Sequence, residues 1–283
     1  MATRMKQAVL LLVGGFSFAF AASAQTPQYN ASVTSAVGYA DLADLALAAP
    51  VVAVVTVHDT IRLEGADAVG VAPGYVRLYI VGDVDALITG QGGLPARVSW
   101  LADLPLDSSN RPPRLKKDKL ILFARRVPGK PAMLQLVARG AQLPWSPQTE
   151  QRTRAILTAA NAPDAPPVIT GVGHAFHVAG SIPGEGETQI FLKTVDNRPV
   201  SLSIIRRPGE QPRWSVALSE IVDNSAAAPQ RDTLLWYRLA CSLPAQLPDD
   251  SLADQSPEDA AQARADYQLV LDGLGPCGRT GGR

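Results

Sequence analysis

The side chains best suited to chemistry in this sequence form a short cluster in its second half. His174 and His177 are followed by Glu185 and Glu187, so imidazole and carboxylate groups of the kind that bind metals or transfer protons lie close together in sequence. The segment from His174 to Ala179 has a strand-like pattern, in which residues i and i+3 point to opposite faces. One metal ion therefore cannot easily take both histidines, and we predict no metal site.

The same region supports a hydrolase hypothesis. Polar residues near predicted strand ends are often used in catalysis, because loops held by a rigid scaffold carry many functional groups. In this hypothesis the site lies in the second half of the chain or in a cleft between two domains, and a Ser–His–Asp triad assembled in space stays open. The candidate residues are His174, His177, Glu185, Glu187, Arg206, Arg207 and Glu220.

Motifs that hold cofactors or nucleophiles are absent from the sequence. It has no Gly-x-x-x-x-Gly-Lys-Ser/Thr phosphate loop, no His-Glu-x-x-His zinc motif and no Gly-x-Ser-x-Gly elbow. Gly184-Glu185-Gly186 begins like a dinucleotide motif, but Glu187 follows it and would repel a pyrophosphate. Two cysteines are too few for an iron–sulfur protein or a four-cysteine zinc site. We therefore assign no catalytic residue and predict no cofactor.

The strongest deviation in charge is a basic segment in the first half, residues 111–130. It carries eight basic side chains and one acidic one, a net charge of +7. The basic residues are Arg111, Arg114, Lys116, Lys117, Lys119, Arg125, Arg126 and Lys130. The basic segment could bind a polyanion, could face the acidic residues 249–272, whose net charge is −6, or could simply be solvated. We expect one of the last two outcomes.

The first 24 residues predict export. Arg4 and Lys6 precede an apolar run from Ala8 to Ala22, and Ala22-Ser23-Ala24 places small residues where signal peptidase cleaves. The run is short for a bilayer span of about 20 residues, and no later segment is apolar for long enough to span one. We expect cleavage before Gln25, a periplasmic or secreted protein, and no membrane span after cleavage.

Export changes the interpretation of the two cysteines. In an oxidising compartment Cys241 and Cys277 most simply form one disulfide, which joins positions 36 residues apart. In the chain-entropy model such a loop is worth roughly 3–4 kcal/mol of stability. A reactive thiol would need a catalytic His partner, so we favour the structural role.

The charge balance limits the partners of the protein. With 26 basic and 26 acidic side chains among 283 residues the net charge is zero, and removal of residues 1–24 leaves −2. A protein that binds nucleic acid with its whole surface would be strongly basic. We predict no nucleic-acid partner and expect an unknown protein or polymer partner in the cell envelope.

The elements of the first half indicate a small closed barrel. Apolar residues at helical spacing from Tyr39 to Ala49 predict a short helix that Pro50 ends. Alternating patterns then predict five strands, over residues 51–63, 75–88, 96–101, 119–126 and 133–138. A long, bent second strand with a bulge near Gly82 suits a five-stranded barrel of the oligonucleotide/oligosaccharide-binding (OB) type, with a two-sheet sandwich as the alternative.

The second half predicts a further β-rich domain with C-terminal helices. Strands are predicted over 188–195 and 200–206, joined by a turn at 196–199, and over 213–219. Asp232 would cap a short helix, and Ser256 a longer one that ends at Gly273. The sequence Asn-Ala-Pro-Asp-Ala-Pro-Pro at 161–167 has the composition of a linker. We therefore predict a mainly β protein with an OB-like domain over 25–161 and a β-rich domain over 162–283.

The first half resembles a known family. The strands Val52-Ala53-Val54-Val55-Thr56-Val57 and Lys119-Leu120-Ile121-Leu122-Phe123, with a helix before the first and a long strand between them, are similar to the barrel of netrin-like and metalloproteinase-inhibitor-like modules over residues 38–138. The resemblance implies the fold alone. Inhibitors of that family chelate the target's metal through an N-terminal cysteine, whereas this chain has Gln25 at the expected mature N-terminus.

The whole chain also resembles a group of uncharacterised exported proteins of Gram-negative bacteria. The likeness is clearest in Gly184–Leu192 and in Leu235–Cys241, and it implies no known activity. With the missing motifs, the zero net charge and the barrel, it favours an exported binding or interaction protein that is not an enzyme. The alternatives are the hydrolase described above and a structural component of the cell envelope.

The export hypothesis predicts the N-terminus of the mature protein. Protein purified from its native host should begin at or near Gln25, because Ala22-Ser23-Ala24 is the cleavage signal. N-terminal sequencing measures this directly. A purified protein that still begins at Met1 would contradict the hypothesis.

Overall fold

The computed structural model describes residues 37–219 and 227–280, which form ten strands and four helices. The predicted signal peptide lies outside these residues. The elements of the first half are α1 (Tyr39–Ala48), β1 (Val51–Arg62), β2 (Tyr75–Thr89), β3 (Arg97–Pro105), β4 (Lys119–Val127), β5 (Lys130–Leu136), β6 (Gln142–Pro144) and α2 (Pro147–Ala160). The second half adds β7 (Ile169–Ala179), β8 (Gly186–Thr194), β9 (Ser201–Arg206), β10 (Arg213–Ala217), α3 (Leu234–Ala240) and α4 (Pro257–Leu274).

The predicted barrel is confirmed. Its strand order is β1-β2-β3-β5-β4, and β4 pairs back onto β1 to close the sheet. Every pair is antiparallel except β3–β5, which is parallel and covers only Ser99–Met133 and Trp100–Leu134. The protein is thus mainly β, with a closed five-stranded barrel, a second sheet and C-terminal helices.

The first half of β1 is buried on both faces, which explains its nearly continuous apolar sequence. Val51, Ala53 and Val55 belong to the barrel interior together with Trp100. Val52 and Val54 point the other way, into a second apolar cluster. The alternating pattern predicted one buried face only, and the second cluster is the reason that both are buried.

Gly82 lets the barrel interior accommodate its largest side chain. A Cβ at this position would lie 3.0 Å from Trp100 Cζ3 and 3.3 Å from the Thr56 carbonyl oxygen. The bulge predicted here is on the partner strand, where the register shifts between Val57 and Asp59. A glycine in this strand therefore marks a close approach as well as a bend.

The second sheet has the order β10-β9-β8-β7, with each neighbour antiparallel. In β8, Thr188, Ile190 and Leu192 are buried while the residues between them face solvent or are half-buried. The buried face packs against α4. The predicted turn at 196–199 is confirmed, and Asn197 adopts a left-handed φ of 58° there.

Two predicted helix ends are wrong by one or two residues. α3 is capped by Thr233, whose Oγ1 accepts a hydrogen bond from Trp236 N at 3.2 Å, and not by Asp232. α4 begins as predicted at Ser256 but ends before Gly275, which has a φ of 66°. Gly273 instead makes room for an indole, since a Cβ there would lie 2.6 Å from Trp214 Nε1.

The two halves share one apolar cluster. It joins Ala43 of α1, Phe123 of β4 and Ile156 of α2 to Ile190 of β8 and Trp236 of α3. Residues from Val37 onward accordingly form one compact unit. The predicted boundary near residue 162 falls between α2 and β7, and the division into domains over 25–161 and 162–283 stays a prediction.

The C-terminal segment is attached to both α3 and α1. Cys241 and Cys277 lie at disulfide distance, as predicted, with sulfurs 2.13 Å apart and Cα atoms 5.0 Å apart. Arg279 then forms a bidentate ion pair with Asp44 of α1, at 2.5 and 2.8 Å. Among the described helices, none has both the length and the apolar character needed to cross a membrane.

Loss of the disulfide should loosen this fastening. The double variant Cys241→Ser/Cys277→Ser should lose about 2–4 kcal/mol of unfolding free energy, because the unfolded chain gains freedom. Urea unfolding measures the loss, and Arg279→Ala with the disulfide intact separates the contribution of the ion pair. Two free thiols in the denatured, unreduced wild type would contradict the disulfide.

Candidate functional site

The two histidines of the predicted cluster lie on opposite faces of β7, as their spacing predicts. His174 is on the outer face beside Phe176, with ring centroids 6.1 Å apart. His177 is on the inner face, where its Nδ1 lies 2.8 Å from Thr188 Oγ1. No group of three or more His, Cys, Asp or Glu side chains able to hold a metal ion occurs in residues 37–219 and 227–280.

A buried polar network surrounds Asp266 of α4. Its carboxylate accepts hydrogen bonds from Arg206 Nε at 2.6 Å, from Gln262 Nε2 at 3.1 Å and from the hydroxyl of Thr188. Arg206 also forms an ion pair with it. Asp266 and Thr188 are fully buried, so these partners replace the water that the carboxylate has lost.

The hydrogen bonds of this network fix the direction of its protons. The single hydroxyl proton of Thr188 goes to Asp266, so Thr188 Oγ1 accepts from His177 Nδ1, which must carry a proton. The backbone N–H of His177 donates to Gln255 Oε1 at 3.0 Å. His177 is thereby held in place by two hydrogen bonds, one through its ring and one through its backbone N–H.

The other hydrolase candidates are not brought to this network. Glu187 is on the outer face, where its Oε1 accepts from Ser203 Oγ at 3.1 Å. Glu185 lies in the β7–β8 hairpin, where its carbonyl oxygen accepts from Gly180 N at 2.9 Å. Arg207 is exposed, and Glu220 lies outside the described residues. Of the six candidates within the described residues, only His177 and Arg206 join the Asp266 network.

The network attaches α4 to the second sheet. A nucleophile must contact its substrate, yet the hydroxyl of Thr188 and the carboxylate of Asp266 have no exposed surface. Sequence reasoning missed Asp266, although it lies three residues after Ala263 and four before Val270, at the spacing of one buried face of α4. A carboxylate on such a face is a signal of a buried partner.

The basic segment is divided between separate surfaces of the barrel. At the start of β4, Lys119 Nζ lies 3.7 Å from Asp85, and Lys116 Nζ in the preceding loop lies 3.8 Å from Asp59. At the far end of the strand, Arg126 donates to the carbonyl oxygen of Gln91 at 2.6 Å. These side chains do not form one continuous patch.

The basic segment also does not pair with the acidic residues 249–272. Asp249 pairs with Arg264 at 2.7 Å, and Asp266 pairs with Arg206. Within the described ranges no ion pair joins the two segments. The exposed basic residues Arg114 and Lys117 fit the prediction of a solvated surface.

A candidate binding site is a groove of about 520 Å³ beside the parallel β3–β5 pair, which we call the β3–β5 groove. One wall is the end of β3 and the other is β5 with the loop after it. Its lining residues are Arg77, Leu101, Ala102, Asp103, Leu104, Val127, Lys130, Met133, Leu134, Gln135, Leu136, Ala138, Arg139, Gly140 and Gln142. A second groove of about 450 Å³ shares Leu104 and Gln142 with it and continues to Trp145.

Charged residues stand at the rim of the β3–β5 groove. Arg77 and Asp103 form a bidentate pair at 2.7 and 3.0 Å, and this pair holds the pKa of Asp103 below its usual value. Arg139 stacks on the ring of Tyr75, with its guanidinium carbon 5.5 Å from the centroid. The groove therefore combines apolar walls with a net positive rim.

No protein-family model matches the chain, and no curated protein is significantly similar to it. The likeness to netrin-like modules and to exported proteins of Gram-negative bacteria rests on the sequence patterns that suggested it. Any function must therefore be argued from the groove and the buried network themselves.

The buried network makes a prediction about stability. Asp266→Asn should lower the unfolding free energy by about 3 kcal/mol, because it leaves Arg206 without its buried counter-charge. The matched control is Asp272→Asn, on the same helix but exposed, which should change it by less than about 0.5 kcal/mol. Urea unfolding of both variants compares them, and equal effects would contradict a holding role for Asp266.

Proposed function

We propose that the protein is an exported binding protein without enzymatic activity, and that the β3–β5 groove is its ligand site. The observation that supports this most is the groove itself. Its volume of about 520 Å³ falls within the range usual for ligand sites, about 300–1,000 Å³. Its walls are apolar, and a few charged groups at the rim would orient a ligand.

The barrel supports the proposal because barrels of this kind commonly bind polymers or small ligands on one side. The netrin-like resemblance supports the same fold and adds no mechanism, since Gln25 and not a cysteine stands at the expected mature N-terminus. Export, a partner in the cell envelope and the absence of nucleic-acid binding belong to the proposal. The cysteine pair is compatible with an oxidising compartment.

The second sheet gives less support for a ligand site. Four surface grooves of the described residues measure about 430 to 520 Å³. None of the four is lined by His177, Thr188, Arg206 or Asp266. Their hydrogen bonds are used within the fold. We therefore infer that these four side chains stabilise the fold and that the barrel binds the ligand.

An apolar anion is a suitable first probe of the groove. Anilinonaphthalene sulfonate should bind to the folded protein with a rise in fluorescence, and Ala138→Trp should weaken binding by about tenfold by filling the groove. The control is Ala132→Trp, since Ala132 is exposed on β5 but does not line the groove. Ala132→Trp should leave binding within about twofold of wild type.

Two results would overturn the proposal. If Ala138→Trp binds like wild type and Phe191→Ala does not, the binding surface is the outer face of the second sheet. If the wild type hydrolyses an ester or peptide substrate and His177→Ala abolishes this while remaining folded, the protein is an enzyme.

A further inference from the structure

We infer that the β3–β5 groove takes an extended acidic peptide, which adds as a strand to the free edge of β3. This rests on the proposed function and names the ligand class for the same site. The occupant is a peptide whose apolar side chains alternate with carboxylates.

The first support is that the groove is lined by strand edges. A strand that lines a groove with one of its faces contributes only every second residue to the lining, because successive side chains point to opposite faces. Here four successive residues of β3, 101–104, and four of β5, 133–136, line the groove. The backbones of both strands therefore border it.

The second support is the unused hydrogen-bonding capacity of β3. From Leu101 to Pro105 the strand pairs with β2 on one side, while its pairing with β5 stops at Trp100. In the part of the chain that the structure describes, no strand pairs with this side of β3 beyond Trp100. A free edge of this kind is the template for strand addition.

The third support is the charge of the rim. Asp103 is the one acidic residue among the lining residues, all of which lie within the described ranges, and Arg77 already neutralises it. Lys130 and Arg139 have no carboxylate within ion-pair distance in residues 37–219 and 227–280. Arg139 also lies close enough to Asp103 to help lower its pKa. With Arg77, Lys130 and Arg139 against Asp103, the lining has a net charge of +2, which complements carboxylates.

The composition of the lining favours a peptide over other anionic polymers. Single-stranded nucleic acids are bound by stacking their bases on aromatic side chains. The β3–β5 groove has no Phe, Tyr or Trp among its lining residues and offers Leu101, Leu104, Met133 and Leu136 instead. Aliphatic walls beside an unpaired backbone suit the alternating side chains of a peptide strand.

The test uses the full exported chain and a fluorescein-labelled peptide of ten residues in which Glu alternates with Val or Leu. Fluorescence anisotropy should show saturable binding that weakens as salt is raised, because the contacts at the rim are exposed. Methylation of alternate backbone nitrogens, on the side that faces β3, should weaken binding by at least about tenfold. Replacement of Glu by Lys should do the same, since the rim is positive.

Protein variants locate the site. Lys130→Glu/Arg139→Glu should weaken binding of the acidic peptide by at least about tenfold and should improve binding of the Lys peptide. The matched control is Lys193→Glu/Arg207→Glu, which makes the same charge change at exposed residues of the second sheet. The control should leave both affinities within about twofold of wild type.

The outcomes distinguish this inference from the proposed function. If anilinonaphthalene sulfonate or dodecanoate binds in a manner sensitive to Ala138→Trp and the peptide does not bind, the groove is a ligand site and the peptide inference is wrong. Equal binding of the methylated peptide would overturn strand addition. If no probe binds, both proposals are wrong.

Discussion

The burial of β1 on both of its faces is the constraint on which the rest of the structure depends. Val51, Ala53 and Val55 fill the barrel, while Val52 and Val54 contact the cluster that joins the barrel to the helices and the second sheet. The same strand has a paired strand on each edge, with β4 beside its first half and β2 beside nearly all of its length. A single polar substitution at Val52 or Val54 would therefore disturb the packing between the halves without opening the barrel.

The polar side chains also have different roles in the two halves of the protein. In the second half, carboxylate, guanidinium, hydroxyl and imidazole groups meet around Asp266, where burial makes every hydrogen bond necessary. Around the β3–β5 groove, by contrast, Lys130 and Arg139 are exposed at the surface. The residue types most often found in catalytic sites therefore stabilise the fold in this protein, whereas Lys130 and Arg139 border the groove.

The sequence predicted the barrel well because its strands carry strong local signals. β1, β2 and β4 are long and rich in β-branched and other apolar residues, and the sequence predicts each within a few residues of its observed bounds. The prediction ended the third strand at Leu101, whereas β3 continues to Pro105. Asp103 and Pro105 are unusual in strands, and Asp103 is accommodated because Arg77 faces it across the β2–β3 pair. That compensation comes from a residue distant in sequence, so local patterning could not reveal it.

The end of β3 beyond Leu101, which the sequence did not predict, also forms one wall of the β3–β5 groove. The parallel pairing of β3 with β5 explains why the groove lies there. β3 and β5 run parallel, so residues of β3 beyond Trp100 must face residues of β5 beyond Leu134. The chain leaves β5 at Leu136, and its continuation, β6, starts at Gln142 on the same edge of β4. The intervening residues 137–141 keep backbone hydrogen bonds to β4 at Phe123, but they form no ladder with β3. Trp100 Nε1 of β3 nevertheless donates to Gln142 Oε1 at 2.7 Å. β3 remains paired with β2 as far as Pro105, whereas its pairing with β5 ends at Trp100. Residues 101–105 of β3 therefore have no paired strand on the groove side, and the exposed Lys130 and Arg139 lie at the same groove.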